Sequence, residues 1–250
     1  MSSKMDESRV RRIEKILAES RKNKPFSFVD HVVVDRVVNE QAGGSSDDEQ
    51  MPPPPFTATI ISPPNYPITV YVGGVSDAMY PAALQEKSIV AILNVAYSQC
   101  IESQRIMKMS VEKNSQWDKV EFSQSWYMHQ TSNPNFQYMG ISAEDHPKYR
   151  IGRHFAECID FIDKVPHGKA VLVHCMQGYN RSVAICVAWL LRKTEFSLEH
   201  VIKTIASQRP LILSNRAFIR ELVFLDSEEE QIDAKVSQKI FSIGEVVERI

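Results

Sequence analysis

Short runs of aliphatic and β-branched residues, closed by polar or glycine-containing turns, predict the strands of this chain. These runs are 69–72, 88–95, 136–139 and 170–173. Helical spacing of apolar residues predicts helices over 78–86, 151–165, 183–191 and 198–207, and a last helix through 218–225. Because strands alternate with helices, the pattern predicts an α/β fold with a central, mostly parallel, twisted sheet flanked by helices.

Some connections between these elements are also interpretable. The first two strands and the helix between them favour a βαβ unit with parallel pairing. Ser197 and Asn215 are residue types that cap helix N-termini, and they precede the last two helical segments. Residues 97–135 show no clean apolar period, so we expect a long irregular excursion there, of the kind that often shapes a functional site.

The two ends of the chain differ from its centre. Residues 5–20 place Val10, Ile13, Ile16 and Leu17 on one face of an amphipathic helix. We expect this helix to pack on its own domain, with docking on a partner or an anionic surface as the alternative. Residues 39–55 are polar and end in four prolines, which is typical of a linker. The predicted organisation is therefore an N-terminal extension over 1–56, a single catalytic domain over 57–228 and a C-terminal tail over 229–250.

Composition narrows the classes of protein. The chain has 250 residues, 43% hydrophobic and 24% charged, with a formal net charge of -2, which excludes a polycationic nucleic-acid binder as the default. It contains neither an apolar run long enough to span a bilayer nor the core of a signal peptide. The spacing of its four cysteines matches neither a disulfide scaffold nor a pair of metal-binding hooks. We therefore expect an intracellular protein, cytoplasmic or nuclear, with reduced thiols and no metal.

The chemistry-bearing segment is the stretch from His174 to Ser182, which connects a predicted strand to a predicted helix. Loop amides and the first N–H groups of a helix converge on one anion in this geometry, and Gly178 lets the backbone curl close to that anion. A thiol among those dipoles and beside Arg181 has its thiolate stabilised, so Cys175 is a candidate nucleophile. The planar guanidinium of Arg181 matches two phosphoryl oxygens.

A thiolate that attacks a phosphate monoester needs a carboxylic acid to protonate the leaving oxygen. Asp145, on a loop that follows a strand, is the candidate acid, and its neighbour Glu144 is the competitor. Ser182 can donate its hydroxyl to the cysteine sulfur and so help the thiolate leave when water hydrolyses the intermediate. His174 has two readings that the sequence leaves open: it tunes the thiolate, or it is a buried, satisfied histidine.

The stretch from His174 to Ser182 resembles the signature of the cysteine-dependent protein tyrosine phosphatases. Its flanks look like the small, vaccinia-related atypical dual-specificity phosphatases, and the similarity extends over about residues 57–228. The segments that carry it outside the loop are 69–73, 92–96, 127–129, 139–141, 143–145 and 218–226. The resemblance implies the cysteine-phosphatase fold and the hydrolysis of phosphotyrosine, phosphoserine and phosphothreonine in proteins.

Carried over to this sequence, the resemblance implies Cys175 as nucleophile, Arg181 as phosphate clamp, Asp145 rather than Glu144 as acid and then base, and Ser182 as thiolate partner. The predicted substrate-binding residues are His174, Met176, Gln177, Gly178, Tyr179, Asn180 and Arg209. Among these, Tyr179 would wall the pocket and Arg209 would suit a second phosphate on the substrate. Neither a metal nor another cofactor is implied. The expected partners are phosphoproteins, with mitogen-activated kinases as a family expectation, and no nucleic acid.

Two departures and two rival functions stay open. Asn180 stands where many relatives carry serine or alanine, and Val183-Ala184 replaces a common Pro-Thr; Asn180 could alter hydrogen bonding in the loop. One rival is a catalytically silent module that binds phosphoproteins, which would not need an acid or a nucleophile. The other is a phosphatase for lipid or RNA phosphates, which usually wants more basic loops than this one.

Overall fold

A central sheet organises the fold in the computed structural model, which describes residues 2–23, 56–109 and 116–227. Within these residues the sheet has five strands: β1 (Thr59–Ile60), β2 (Thr69–Gly73), β3 (Ile89–Asn94), β4 (Gln137–Gly140) and β5 (Ala170–His174). Their order across the sheet is β1-β2-β5-β3-β4. All neighbouring strands are parallel except β1 and β2. The predicted α/β fold with a mostly parallel sheet is confirmed.

The expected pairing of the first two predicted strands is wrong in one respect. These strands, β2 and β3, are parallel, but β5 lies between them and pairs with both. The residues of β5 are all buried, with Val171 and Val173 on one face of the sheet and Leu172 on the other. A strand that is apolar on both faces is covered from both sides and belongs at the centre of a parallel sheet.

The helices cover both faces of this sheet. They are α1 (Ser2–Asn23), α2 (Val75–Ala78), α3 (Pro81–Glu86), α4 (Tyr97–Met109), α5 (Gln116–Lys119), α6 (Gln124–Gln130), α7 (Phe155–Asp163), α8 (Arg181–Lys193), α9 (Leu198–Gln208) and α10 (216–227). A 3-10 turn over Ile151–His154 precedes α7. The predicted caps are confirmed, since Ser197 Oγ accepts from the N–H of His200 and Asn215 Oδ1 accepts from the N–H of Ala217.

Two expectations about helices are corrected. The helix expected over 78–86 is two short helices, because Pro81 starts a new helix at its first position. The irregular excursion expected over 97–135 contains α4, α5 and α6. The buried positions of α4 include a polar one: the side-chain amide of Gln104 donates to the carbonyl of Trp117 at 3.0 Å. Ile106 and Met109 of the same helix are exposed. Because apolar residues lie on its exposed face and a polar one on its buried face, the sequence of α4 shows no apolar period.

In the described residues the hydrophobic core has a larger and a smaller part on opposite faces of the sheet, and a third cluster that includes Cys100 and Cys175. Alternate strand residues, such as Val70 and Val72, face the larger part together with residues of α7, α8, α9 and α10. Tyr71 and Leu172 face the smaller part, where Tyr127 and Phe136 stack with their ring centroids 5.3 Å apart. This period-two division is the expected packing of a sheet between helical layers.

Helix α1 packs on the domain that follows it, as its apolar face predicted. Val10, Ile13, Ile16 and Leu17 are all buried in the larger part of the core, and α1 contacts α9. Charged residues of α1 also pair with α10, since Arg9 binds Asp226 and Glu7 and Glu14 bind Arg216. The linker expected over 39–55 and the tail over 229–250 lie outside the described residues, so the division at 56 and 228 stays a prediction.

The length and apolar composition of a helix decide whether it can cross a bilayer. Within residues 2–23, 56–109 and 116–227, no helix is long and apolar enough to cross a bilayer.

Candidate active site

The candidate site lies where the central strand ends. In register across the sheet, His174 at the end of β5 is level with Gly73 of β2 and Asn94 of β3. The chain then turns through 175–180 and enters α8 at Arg181. This is the carboxyl edge of a parallel sheet, where open α/β folds place their ligands, and the loop leads into the N-terminus of a 13-residue helix, which favours an anion.

The path of the loop depends on Gly178. Its backbone has a φ of 75°, and a Cβ at this position would lie 2.6 Å from the carbonyl carbon of Gly73. The loop therefore packs directly against the end of β2, and the N–H of Val75 donates to the carbonyl of Met176 at 3.0 Å. Only glycine allows both this conformation and this approach.

The thiol of Cys175 lies at the bottom of the loop and is 2% exposed. Its sulfur accepts hydrogen bonds from Ser182 Oγ at 3.4 Å and from the N–H of Gly178 at 3.3 Å. Burial alone would raise the pKa of Cys175, but the charge of Arg181 and the hydrogen bonds from Ser182 and Gly178 outweigh burial and hold the pKa below its usual value. The arrangement favours a thiolate.

His174 is fully buried beside this thiol. Its Nδ1 donates to the carbonyl of Cys175 at 3.1 Å, and its Nε2 has no hydrogen-bond partner within the described residues. Burial, reinforced by the charge of Arg181, lowers the pKa of His174 to about 4, so the ring is neutral near pH 7. The hydrogen bond satisfies one nitrogen of the ring and fixes the carbonyl of Cys175, so both interpretations of His174 stay predictions.

Arg181 connects the loop to the segment that carries the predicted acid. Its Nη1 donates to the carbonyl of Ala143 at 3.1 Å, and the residue is 5% exposed. Its buried Nε has no hydrogen-bond partner within the described residues. A buried donor of this kind is costly unless it is satisfied, so the Nε is available to a bound anion.

Asp145 lies at the rim of the same loop. Its Oδ2 accepts from Asn180 Nδ2 and its Oδ1 from Asn215 Nδ2, both at 2.9 Å. The side chain is exposed, as is that of its neighbour Glu144. The hydrogen bond from Asn180 holds Asp145 against the cysteine loop, which favours Asp145 over Glu144 as the predicted acid.

The remaining predicted substrate-binding residues are distributed around the rim. Met176 and Tyr179 are half-buried and Gln177 is exposed. Arg209 has partners within its own chain, because its guanidinium donates to the carbonyls of Thr57 at 3.0 Å and of Gly178 at 3.4 Å. This geometry braces the loop against the start of β1, while the predicted contact of Arg209 with a second phosphate stays a prediction.

A family model confirms the protein family that the sequence of the cysteine loop suggests. The model described as dual specificity phosphatase, catalytic domain, matches residues 70–228. The chain belongs to the dual specificity phosphatases. The resemblance to this branch of the cysteine-dependent tyrosine phosphatases, stated from the sequence, is thereby confirmed.

Individual relatives give the same family. Dual specificity protein phosphatase 1 of Arabidopsis thaliana is 36% identical over 109 residues, which are 43% of this chain and 52% of the relative. Dual specificity protein phosphatase 1 of Homo sapiens is 36% identical over 95 residues, 38% of this chain and 26% of the relative. The match thus spans about half of the plant relative's length and a quarter of the human one's.

Solved structures of the family support the fold. The crystal structure of human DUSP28 aligns with a TM-score of 0.51 and 18% sequence identity, covering 71% of this chain and 98% of that one. At this identity the likeness concerns the fold alone. It agrees with the cysteine-phosphatase fold that the sequence predicted for this dual specificity phosphatase.

The sequence analysis did not predict two residues that lie at the site, Asn215 and Asp77. Asn215 was expected only as a helix cap, yet it also binds Asp145. The carboxylate of Asp77 is buried and accepts the N–H groups of Gly74 at 2.9 Å and Thr57 at 2.6 Å, which holds the end of β2 beside the loop. Burial raises the pKa of Asp77, although these hydrogen bonds partly offset the rise. The capping spacing from Gly74 to Asp77 is the sequence signal that could have found it.

The other three cysteines are buried and reduced, as expected for small apolar residues. Burial raises the pKa of Cys100 and of Cys158 to about 12, and it also raises that of Cys186. Among the four thiols only that of Cys175 has a lowered pKa, which distinguishes it from the three buried, unreactive ones.

Proposed function

We propose that this protein hydrolyses phosphomonoesters on tyrosine, serine and threonine side chains of proteins, through a phosphocysteine intermediate on Cys175. The observation that carries the proposal is a buried thiol with a lowered pKa, held next to the guanidinium of Arg181 in a strand-loop-helix turn. Membership of the dual specificity phosphatases supports the same reaction class.

In the first step the Cys175 thiolate attacks phosphorus, and the bond between phosphorus and the ester oxygen breaks. Asp145 gives its proton to that oxygen, so the alcohol or phenol leaves neutral. In this proposal the phosphoryl oxygens bind the Nε of Arg181, which has no hydrogen-bond partner within the described residues, and the N–H groups at the start of α8. The phosphoryl group ends on sulfur.

In the second step water attacks the phosphocysteine. Asp145, now a carboxylate, takes a proton from the water, and the bond between sulfur and phosphorus breaks with its electron pair going to sulfur. The hydroxyl of Ser182, 3.4 Å from the sulfur, stabilises the thiolate as it leaves. Inorganic phosphate is released, and the enzyme returns to its starting state.

The charge of the loop favours protein substrates. Between Cys175 and Ser182 the sequence supplies one charged side chain, that of Arg181, whereas polyanionic lipid headgroups and RNA ends call for more cations. Phosphoproteins are therefore the proposed partners, with mitogen-activated kinases as candidates. Four free cysteines support the proposed location in a reducing compartment, the cytoplasm or the nucleus.

The test is phosphate release from matched peptides that differ only in carrying phosphotyrosine, phosphothreonine or phosphoserine. We expect the purified protein to release phosphate under reducing conditions and Cys175→Ser to release none. No release by the wild-type protein would favour the silent binding module. Faster release from phosphoinositides or 5′-triphosphorylated RNA than from the peptides would reassign the substrate class.

A further inference from the structure

Asn180 makes several side-chain hydrogen bonds at the rim of the cysteine loop. Its amide nitrogen donates to Asp145 Oδ2 at 2.9 Å and to Ser214 Oγ at 3.0 Å. Its amide oxygen accepts from the backbone N–H of Ser214 at 2.7 Å and, at 3.4 Å, from that of Asn215. One side chain therefore links the cysteine loop, the predicted acid and the segment that precedes α10.

The segment at 213–215 is itself fixed through the peptide group that joins Ile212 to Leu213. The N–H of Leu213 donates to the carbonyl of Tyr179 at 2.8 Å, and Leu213 has a φ of 48°, an unfavourable conformation for a branched side chain. The carbonyl of the same peptide group, that of Ile212, accepts from Arg21 of α1 at 3.3 Å. Such a strained backbone persists only when its surroundings fix it, so Asn180 binds a rigid partner.

Asp145, by contrast, is an exposed residue on a loop without regular secondary structure. Within the described residues, its carboxylate accepts hydrogen bonds from the amide groups of Asn180 and Asn215, one on each oxygen. Asn215 is fixed by the N-terminus of α10, which its own side chain caps. The orientation of the carboxylate is thus set by two residues that belong to rigid elements.

We propose that Asn180 is a positioning residue for the general acid, acting through Asp145 rather than by binding substrate. This inference rests on the proposed function. Placement of a proton donor to within about 1 Å decides up to about a hundredfold in rate. Asn180 uses its nitrogen for Asp145 and its oxygen for the 214–215 backbone, whereas a side chain with a single polar atom has no second atom to bind both at once.

The chemistry offers a readout that a purely structural role would not change. A phenolate with an electron-withdrawing group leaves without protonation, whereas phenolate itself needs the acid. The ratio of kcat/KM for 4-nitrophenyl phosphate to that for phenyl phosphate therefore reports how well Asp145 works. Because kcat/KM covers the steps up to the first irreversible one, it isolates phosphoryl transfer to Cys175.

The experiment compares the wild-type protein with Asn180→Ala, Asp145→Ala and the double variant. For Asn180→Ala we expect about a tenfold loss on phenyl phosphate and less than about a twofold loss on the nitrophenyl ester. In the Asp145→Ala background, Asn180→Ala should leave the ratio of the two rates unchanged, because the group it positions is gone. Asn133→Ala is the control, since the Asn133 side chain also accepts a backbone hydrogen bond, in its case from Asn135, two residues away, at 3.0 Å.

A second variant guards against a general disturbance of the loop. Asn180→Asp keeps an acceptor for the 214–215 backbone but places a carboxylate against Asp145, so it should also shift the ratio of the two kcat/KM values. A second measurement is the inhibition constant for inorganic phosphate, which should stay near the wild-type value in Asn180→Ala. Equal losses on both esters, or the same additional loss in the Asp145→Ala background, would overturn the inference and leave the proposed function intact. A wild-type protein that releases phosphate from neither ester would contradict both.

Discussion

Ser182 Oγ lies 3.4 Å from the sulfur of Cys175 and 3.5 Å from the carbonyl oxygen of Gly73. The hydroxyl can therefore donate to the sulfur when it is a thiolate and turn to the carbonyl when the sulfur is occupied. This is the behaviour required of a group that stabilises the leaving thiolate in the second step.

Replacing Ser182 by alanine should raise the pKa of Cys175, because one of the groups that stabilise the thiolate is removed. The pH dependence of alkylation at Cys175, followed by mass spectrometry, measures this shift. Ser207→Ala is the control, since the Ser207 hydroxyl donates to a helix carbonyl away from the loop. An unchanged alkylation profile in Ser182→Ala would show that the hydroxyl does not act on the thiolate.

Gly178 and Gly168 provide a matched pair for the geometry of the loop. Both have a φ of 75°, but a Cβ would meet Gly73 at 2.6 Å in the first case and nothing within 4 Å in the second. Gly168→Ala should cost about 1 kcal/mol of stability from backbone strain alone. Gly178→Ala should in addition abolish phosphate binding, which isothermal titration with inorganic phosphate measures. Equal phosphate affinity in the two variants would mean that the close approach to Gly73 is not needed.

The titration of His174 makes the free energy of unfolding depend on pH. The unfolded chain takes up a proton near the ordinary pKa of 6.5, whereas the folded protein does so only near 4, because its ring is buried. The free energy of unfolding is therefore highest above pH 6.5 and falls as the pH drops towards 4, by about 3 kcal/mol in total. Urea unfolding across this range should show a weaker slope in His174→Asn, whose amide can still donate to the Cys175 carbonyl. A slope unaltered by the substitution would rule out His174 as its source.

Helix α1 should contribute substantially to stability through its apolar face. Ile13 and Leu17 are 0% and 2% exposed, so each substitution to alanine should lower the free energy of unfolding by about 2 to 5 kcal/mol. Lys15→Ala, on the exposed face of the same helix, should change it by less than about 0.5 kcal/mol. Chemical denaturation of the full chain measures these differences. Equal effects at Ile13 and Lys15 would mean that α1 is not docked in solution.

The sequence predicts the four longer strands and the cysteine loop, but neither the two-residue strand β1 nor the order of the strands. Strands such as β5 are continuous apolar runs, and a buried parallel strand requires that pattern. Cys175, Arg181 and Ser182 lie within eight positions of one another, so a strand-to-helix turn alone brings them together. Local patterns of this kind are readable without knowing the rest of the fold.

The rest depended on contacts between distant residues. Helix α4 was missed because Gln104 occupies one of its buried positions, which removes the apolar period. The hydrogen bonds to Asp145 come from Asn180, 35 residues further along the chain, and from Asn215, 70 residues further. No local pattern encodes such a contact, and an asparagine before the arginine can be interpreted only when its partners are in place.

The most direct test of the account is to stop the reaction within its first turnover by rapid denaturation in SDS and to locate the phosphate on the protein. With a radiolabelled phosphotyrosine peptide as substrate, we expect the label on the peptide that contains Cys175. Release of inorganic phosphate with the label on another residue, or with no labelled protein at any time, would contradict the central claim that Cys175 is the nucleophile.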